Sequence, residues 1–403
     1  MTTEEFVKQN RTGDIRKLAF LASKYPEVDS VYALDQISGW QTARTKLPVW
    51  ASAEGIVYPP HLSMEQCSSE ATASYKSRLA LRLVASLSAD SSSCRFVDIT
   101  GGFGVDFSFI SSALQIPSVY VERNEKLCSL ARHNFPLLGL PFAEVVCGDG
   151  TDYALSMPHA TMVYIDPARR DGHGARTYCI EDCTPNILEL LPMLMEKTDI
   201  VMVKLSPMLD WHSAVSDIDS KLCGSKVSEV HIVSTGNECK ELLLVISHSV
   251  APLSVVCAND SQTFVFRPSE QVSQASCFPS GELVGSFLYE PNASLMKAGC
   301  FNAMASYYGI KVMAPNSHLF VSCEDIVDFP GRRFVVDKVS SMNKKEIKAM
   351  LNGMDKANIA VRNFPMSVID LRRKLKLKDG GDIYLFATTS SADEHLILQC
   401  HKA

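Results

Sequence analysis

Residues 96–106 read Phe-Val-Asp-Ile-Thr-Gly-Gly-Phe-Gly-Val-Asp, and this stretch decides the fold. An apolar strand ends in Asp98, the chain then turns through Gly102 and Gly104, and a helix-like apolar run follows. Glycine permits the sharp turn and lets a ligand approach the backbone closely. The free N–H groups at the start of the helix can bind polar groups of that ligand. Because Phe107 occupies the third glycine position of G-x-G-x-x-G, the stretch alone is a weak signal.

The composition is that of an ordinary globular protein, with 46% hydrophobic and 21% charged residues among 403. A chain of this length predicts about two to four domains. The net charge is −6, so the overall charge of the chain does not indicate a nucleic-acid partner. The thirteen cysteines follow no framework spacing, which predicts reduced thiols and a cytoplasmic location. No uninterrupted apolar stretch is long enough to span a bilayer, so no membrane association is expected.

One pair of cysteines lies close together in the sequence. Cys179 and Cys183 are four positions apart, and His173 precedes them. A structural zinc site uses four ligands at tighter spacing, so no metal site is predicted here.

The pattern of predicted elements changes near residue 94. Residues 1–92 form a helical region, because apolar residues recur at helical spacing over 6–24 and again over 70–87. From Cys94 strands alternate with helices, which is typical of an α/β fold with a doubly wound, Rossmann-like sheet. Strands are predicted at 95–99, 118–121, 143–147, 162–165, 200–205, 230–234 and 242–246. The last two form an antiparallel hairpin at the sheet edge, because only a short loop joins them.

The C-terminal part predicts two further α+β segments. A loop-rich stretch around Asp260 and 271–274 precedes them, the first contains a helix at 293–308, and the second alternates strands and helices. The predicted domains are therefore a helical region (1–92), a sheet domain (93–250), a small α+β domain (251–326) and a second α+β domain (327–403).

Four acids stand at or just past the ends of four successive predicted strands. They are Asp98, Glu122, Asp149 and Asp166. The carboxyl ends of parallel strands form the ligand edge of a doubly wound sheet. Glu122 lies 24 positions after Asp98, where an acid can accept both hydroxyls of a ribose, and Asp149 can accept an adenine amino proton. Each acid taken singly also suits a helix cap, but four in register favour a shared site.

This series of acids resembles that of class I S-adenosylmethionine-dependent methyltransferases, with residues 94–250 covering the catalytic domain. The resemblance implies S-adenosylmethionine as the cofactor. It assigns Glu122 to the ribose and Asp149 to the adenine. The implied residues near the methionine part are Asp98, Thr100, Gly102, Gly104 and Asp106.

A second candidate cofactor element lies just upstream, in residues 62–72. In many methyltransferases this region folds over the cofactor, and Gln66 and Glu70 are the candidates here. The alternative is a capped helix start, which Ser-Ser-Glu before Ala-Thr-Ala equally indicates.

The fourth strand runs into Asp166-Pro167-Ala168-Arg169. This stretch is similar to the Asp/Asn-Pro-Pro-aromatic tetrapeptide of amino-methylating enzymes, which implies a catalytic role for these four residues. A carboxylate and a nearby backbone carbonyl can accept both N–H bonds of an amine and align its nitrogen for methyl transfer. Ala168 replaces the second proline and Arg169 replaces the aromatic residue.

Asp-Pro-x-Arg also occurs in pyrimidine C5 methyltransferases. Those enzymes need a cysteine nucleophile, usually after the fifth strand. Residues 203–207, where that strand ends, read Val-Lys-Leu-Ser-Pro and contain no thiol. The sequence therefore disfavours this chemistry.

Asp166-Pro167-Ala168-Arg169-Arg170 and the C-terminal order βαβαββ also resemble a narrower bacterial family of methyltransferases. Its members end in ferredoxin-like and THUMP-like domains, and the resemblance covers nearly the whole chain. From Arg332 to Lys378 there are thirteen Lys and Arg residues against four acids. Cations at the end of a helix can be purely structural, or they can contact the phosphates of RNA.

The resulting hypothesis is a methyltransferase that acts on RNA, at an exocyclic amino group of a purine base. Alternatives are a methyltransferase-like protein that binds RNA or cofactor without turnover, and a methyltransferase of DNA or protein. A nicotinamide dehydrogenase is disfavoured by the missing third glycine. The oligomeric state is not predicted.

Overall fold

The computed structural model describes residues 1–87, 94–141, 143–169 and 180–403. The chain divides into two compact units. Unit 1 comprises residues 1–230 and 240–251, and unit 2 comprises residues 231–239 and 252–403. In the described ranges, no helix has both the length and the apolar character needed to cross a membrane.

The N-terminal region of unit 1 is helical, as predicted. Its helices are α1 (Thr3–Asn10), α2 (Ile15–Ala22), α3 (Ser30–Lys46), α4 (Pro48–Ser52), α5 (His61–Gln66) and α6 (Glu70–Ala85). The single helix predicted over 6–24 is two helices, because the Asp14 side chain caps a new helix start at the amide of Lys17, 3.0 Å away. Trp50 packs on Phe103 of the glycine-containing turn, with ring centroids 4.7 Å apart. The helical region therefore covers that turn.

The sheet of unit 1 alternates strands with helices. Its elements are β1 (Phe96–Asp98), α7 (Val105–Leu114), β2 (Ser118–Glu122), α8 (Glu125–Leu137), β3 (Glu144–Cys147), α9 (Gly150–Ser156), β4 (Ala160–Ile165), β5 (Ala168–Arg169), β6 (Cys183–Thr184), α10 (Ile187–Met195), β7 (Thr198–Leu205), α11 (Trp211–Asp219), β8 (Lys226–Thr235) and β9 (Glu238–Ser247). All seven predicted strands are present, whereas the two-residue strands β5 and β6 were not predicted.

The strand order confirms the doubly wound prediction. From β8 it runs β8-β9-β7-β4-β1-β2-β3. The pairs among β7, β4, β1, β2 and β3 are parallel, whereas β9 is antiparallel to β7. The predicted hairpin is present, but its second strand, β9, inserts between β7 and β8. Every residue of β1 and β4 is buried, so these two strands form the centre of the core.

Unit 2 contains a hairpin followed by a second sheet. Its elements are β10 (Ser254–Asn259), β11 (Gln262–Phe266), β12 (Phe287–Pro291), α12 (Ala293–Ala298), α13 (Phe301–Tyr308), β13 (Lys311–Val312), β14 (Phe320–Ser322), β15 (Gly331–Ser341), α14 (Lys344–Met350), β16 (Asn358–Arg362), α15 (Val368–Leu375), β17 (Tyr384–Thr389) and β18 (His395–Lys402). Asp260 lies in a turn, as predicted, but this turn is short and the residues on either side form β10 and β11 rather than a loop-rich stretch. The helix predicted over 293–308 is interrupted at Gly299, whose φ of +69° ends α12.

One sheet joins the two predicted α+β segments. Its strand order is β13-β14-β12-β15-β18-β17-β16. Strand β12 of the first segment pairs with β15 of the second in antiparallel register, for example Leu288 with Phe334. Both of these side chains are fully buried in the same core cluster. The two segments therefore share a hydrophobic core.

Gly101 has no room for a side chain. An added Cβ would lie 2.2 Å from Cε2 of Tyr120, which is fully buried. The Tyr120 hydroxyl also donates to the Gly102 carbonyl at 2.5 Å, so the ring cannot shift without losing that bond. We predict that Gly101→Ala lowers the free energy of unfolding by about 1–3 kcal/mol. Urea unfolding followed by circular dichroism measures this change.

Gly148→Ala is the matched control for this prediction. A Cβ at Gly148 would meet no atom within 4 Å, so we expect a change within about 0.5 kcal/mol. Equal losses in the two variants would contradict the steric explanation.

Candidate active site

The centre of the site is the turn after β1. Asp98 ends this strand with only 1% of its surface exposed, and its Oδ1 accepts hydrogen bonds from the Thr100 amide at 2.9 Å and the Thr100 hydroxyl at 3.3 Å. Burial raises the pKa of Asp98 well above its ordinary value. The acid therefore shapes the turn from within the core.

The Thr100 hydroxyl joins two strand ends. It accepts a hydrogen bond from the Asp166 amide at 2.7 Å while it donates to Asp98. Asp98 ends β1 and Asp166 directly follows β4, so a single side chain ties the two adjacent strands together. The position of Asp166 is thereby set by the turn.

Glu122 fixes the other side of the turn. Its Oε2 accepts from the Gly102 amide at 2.8 Å, and its Oε1 accepts from the Asn124 amide at 2.8 Å. Gly102 and Gly104 have φ angles of +56° and +86°, which glycine adopts without strain. Hydrogen bonds thus hold the glycine turn on both sides, to Asp98 through Thr100 and to Glu122 through Gly102.

Asp149 caps α9 and is exposed. Its Oδ1 accepts from the Thr151 amide at 2.8 Å and the Asp152 amide at 3.4 Å. The capping alternative is therefore present, and it occupies one carboxylate oxygen.

Open space lies beside the glycine turn. A Cβ added at Gly102 would find its nearest atom, the Thr100 carbonyl oxygen, 3.8 Å away, and one at Gly148 would find nothing within 4 Å. The Glu122 carboxylate accepts from the Gly102 amide, and Asp149 directly follows Gly148. These two carboxylates suit a ribose and an adenine amino group. The residues present therefore fit a nucleoside cofactor.

One carboxylate oxygen of Asp166 is already bonded to a lysine. Lys204 Nζ, from β7, donates to its Oδ2 at 2.5 Å. The side chain of Asp166 is 36% exposed, whereas that of Lys204 is 15% exposed. Pro167 follows Asp166 and is half-buried, and Ala168 pairs with Thr184 in the short β5–β6 ladder. Arg169 is the second residue of β5, and its side chain lies outside the described part.

A buried charge network lies behind Asp166, and sequence reasoning missed it. Lys76 of α6 donates to both oxygens of Glu241, at 2.8 and 2.6 Å, and to the Ser68 hydroxyl at 3.1 Å. Its Nζ also lies 3.2 Å from Asp106 Oδ1, an ion pair without hydrogen-bond alignment. The Lys76 side chain is fully buried and that of Glu241 is 3% exposed. The signal in the sequence was a charged residue inside an apolar strand, as in Glu-Leu-Leu-Leu-Val over 241–245.

Asp106 is the junction of this network. Its Oδ2 accepts from the hydroxyls of Ser68 and Tyr164, each at 2.8 Å, and lies 4.0 Å from Lys204 Nζ. Burial alone would raise the pKa of Asp106, but Lys76 and Lys204 lower it overall. Burial raises the pKa of Glu241, which Lys76 only partly opposes.

The upstream element reaches the site through a different residue from those predicted. Glu70 Oε2 accepts from the Val49 amide at 2.8 Å, so it caps α4. Gln66 is exposed at the end of α5. Ser68, between them, is the buried residue that bonds to Asp106. Glu70 therefore caps α4, whereas the start of its own helix, α6, is capped by Ser69.

No metal site is formed by the residues described. Within these ranges, no group of three or more His, Cys, Asp and Glu side chains is placed to hold an ion. His173 and Cys179, together with Arg170 and Arg176, lie outside the described residues.

Comparisons with known proteins identify the C-terminal region first. A model described as THUMP domain-like matches residues 331–402, and a model described as a ferredoxin-like domain matches residues 287–330. None of the curated proteins compared with the chain matches it.

Solved structures resemble the chain to different extents. A crystal structure of a protein from Porphyromonas gingivalis W83, described as a methyltransferase, is 30% identical, covers 100% of this chain and 99% of its own, and has a TM-score of 0.84. A class I S-adenosylmethionine-dependent methyltransferase from Listeria monocytogenes is 11% identical over 64% of this chain and 93% of its own, with a TM-score of 0.40. The N-terminal domain of human METTL16, solved with S-adenosylhomocysteine, is 14% identical over 58% and 94%, with a TM-score of 0.35. The last two similarities are too low to carry an argument.

The full-length similarity and the two domain models confirm the resemblance seen in the sequence. The protein is an enzyme, and S-adenosylmethionine is its cofactor. The chain belongs to the class I S-adenosylmethionine-dependent methyltransferases that carry ferredoxin-like and THUMP-like domains at the C-terminus.

Proposed function

We propose that this enzyme methylates RNA, at an exocyclic amino group of a purine base. The observation that carries the proposal is the link from Asp98 through the Thr100 hydroxyl to the Asp166 amide. It holds a partly exposed carboxylate at a fixed place beside the glycine turn. Such a carboxylate suits an amine that must be aligned for in-line attack.

The proposed chemistry needs acceptors more than it needs a base. For the reaction to balance, the amine nitrogen would gain the methyl group and pass one proton to solvent, and the cofactor would leave as a neutral sulfide. The bound cofactor supplies the methyl group as a sulfonium. Asp166 and the Pro167 carbonyl accept the two N–H bonds, which favours the pyramidal nitrogen of the transition state. Proline restricts φ and helps to hold that carbonyl in place.

The cofactor is proposed to lie along the carboxyl ends of β1, β2 and β3. Glu122 would bind the ribose hydroxyls, and Asp149 would accept from the adenine amino group with the oxygen that does not cap α9. The open space at Gly102 and Gly148 supports this placement.

An RNA substrate is supported by the THUMP-like domain and its exposed lysines. Five of the thirteen basic residues in 332–378 are arginines paired with carboxylates, at Arg332, Arg333, Arg362, Arg372 and Arg373. Lys374, Lys376 and Lys378, at and after the end of α15, are exposed. Lysines of this kind suit contact with RNA phosphates, and RNA is abundant in the cytoplasm, the location that the cysteine pattern predicts.

The decisive experiment compares modified nucleosides in total RNA from cells with and without this protein, by mass spectrometry. We expect one N-methylated purine to disappear in the deletion strain and to return when purified enzyme and S-adenosylmethionine are added to that RNA. Transfer of a labelled methyl group to DNA or protein fractions, with none to RNA, would overturn the proposed substrate.

We predict that Asp166→Ala abolishes methyl transfer without abolishing cofactor binding. The amine loses its carboxylate acceptor, so the rate falls by at least about 100-fold. S-adenosylhomocysteine, measured by calorimetry, still binds within about threefold of the wild type. Asp152→Ala, at an exposed carboxylate of α9, is the control and keeps wild-type activity. Comparable losses in both variants would contradict the assignment.

Glu122→Ala tests the ribose contact. We expect S-adenosylhomocysteine to bind about 10- to 100-fold more weakly, since two hydrogen bonds to a carboxylate are lost. Glu125→Ala removes an exposed carboxylate three positions along, on α8, and leaves the affinity unchanged. Equal affinities of the Glu122 variant and the wild type in calorimetry would exclude the ribose contact.

The lysine face is tested with Lys374→Gln, Lys376→Gln and Lys378→Gln combined. Filter binding of RNA between about 50 and 200 mM salt should give a weaker affinity, and the slope against salt should fall by about 2 to 3. The matched control changes the exposed Lys8, Lys17 and Lys24 of unit 1 to Gln and keeps the wild-type slope. The same slope in the test variant would place the RNA elsewhere.

A further inference from the structure

We infer that Lys204 is a positioning residue for Asp166. Its ammonium group occupies one carboxylate oxygen, so the other oxygen is the one left to accept from the amine substrate. This inference rests on the proposed amino-group methylation. It adds Lys204 as the residue that sets the orientation of the Asp166 carboxylate.

The placement of Lys204 is defined by the sheet. It lies one residue before the end of β7, and the register of β4 with β7 pairs Ile165 with Val203, so Asp166 and Lys204 come next on adjacent strands. Lys204 Nζ donates to Asp166 Oδ2 across 2.5 Å, so the two opposite charges are in direct contact. The lysine is the more buried partner, so it holds the carboxylate from the core side.

Lys204 is itself held from behind. Asp106 Oδ2 lies 4.0 Å from its Nζ, and that carboxylate is fixed by Ser68 and Tyr164. A lysine side chain loses conformational entropy when it is ordered. The Lys204 ammonium is buried and paired with two carboxylates. It can therefore orient one oxygen of Asp166 at a lower entropic cost than an exposed lysine.

Lys204 acts as a fixed cation and not as a proton acceptor. Burial by itself would lower the pKa of Lys204, but Asp166, Asp106 and Glu241 together raise it well above its ordinary value. An ammonium that stays charged at all working pH values cannot take the proton released by the amine. Its available role is to orient Asp166.

The ionisable groups around this pair come from five elements. They are Asp98 (β1), Asp106 (α7), Tyr164 (β4), Glu241 (β9) and Lys76 (α6). Lys76 is paired with Glu241 and Asp106, and Lys204 is the cation that bonds to Asp166. Removal of Lys204 would leave Asp166 facing Asp106 without that cation.

The experiment uses the full-length protein with Lys204→Met, Lys204→Gln and Lys76→Met. The substrate is total RNA from the deletion strain with tritiated S-adenosylmethionine. Three quantities are measured, namely kcat, KM for the RNA and the Kd of S-adenosylhomocysteine. Thermal midpoints report whether each variant is folded.

For Lys204→Met we expect kcat to fall at least about 30-fold, while KM and Kd stay within about threefold. Lys204→Gln restores a hydrogen-bond donor without the charge, so it should recover part of kcat. Lys76→Met removes a cation that does not touch Asp166, so it should lower the thermal midpoint and reduce kcat less than Lys204→Met does.

Several results would overturn the inference. One is a Lys204→Met enzyme with wild-type kcat. Another is a loss of kcat accompanied by an equal loss of cofactor binding, as a purely structural residue would give. If Lys204→Met does not fold, kcat and the Kd of S-adenosylhomocysteine for Lys204→Gln decide alone. If the wild type binds S-adenosylhomocysteine but methylates no RNA, the proposed function fails instead.

Discussion

The structure depends on the ion pairs of one buried lysine. Lys76 is fully buried, and its ammonium is compensated by Glu241 and Asp106. Transfer of an ammonium to the protein interior costs several kcal/mol, and removal of one member of a buried pair typically costs about 3–5 kcal/mol. The three residues come from α6, β9 and α7, so this one interaction joins the helical region, the antiparallel strand and the helix that follows the glycine turn. None of these elements can move separately without exposing an uncompensated charge.

The order of the chain explains why the constraint matters for the site. Helix α6 comes just before the first strand, and Ser68, at its approach, bonds to both Lys76 and Asp106. Asp106 lies in the first turn of α7, two positions after Gly104. The helical region is therefore attached to the same short segment that forms the glycine turn. Trp50 on Phe103 adds an apolar contact to this polar attachment.

Much of the framework was predictable from the sequence. The parallel strands and the acids that follow them could be recognised because strand periodicity and strand ends are local properties. The position of β9 beside β7 could not be predicted, because the sequence of a hairpin does not show which of its two strands pairs with the rest of the sheet. The charge network was not predictable either, because Lys76 and Glu241 are 165 positions apart. In the upstream element, capping and cofactor contact predict the same residue types, so the buried Ser68 was not distinguished from its neighbours.

The Thr100 hydroxyl has a further consequence. It carries a single hydrogen, and because its oxygen already accepts from the Asp166 amide, that hydrogen points to Asp98. Hydrogen bonds tolerate only small changes in length before they weaken. The glycine turn and the backbone of Asp166 must therefore shift together, so the spacing between the ends of β1 and β4 is kept when either of them moves.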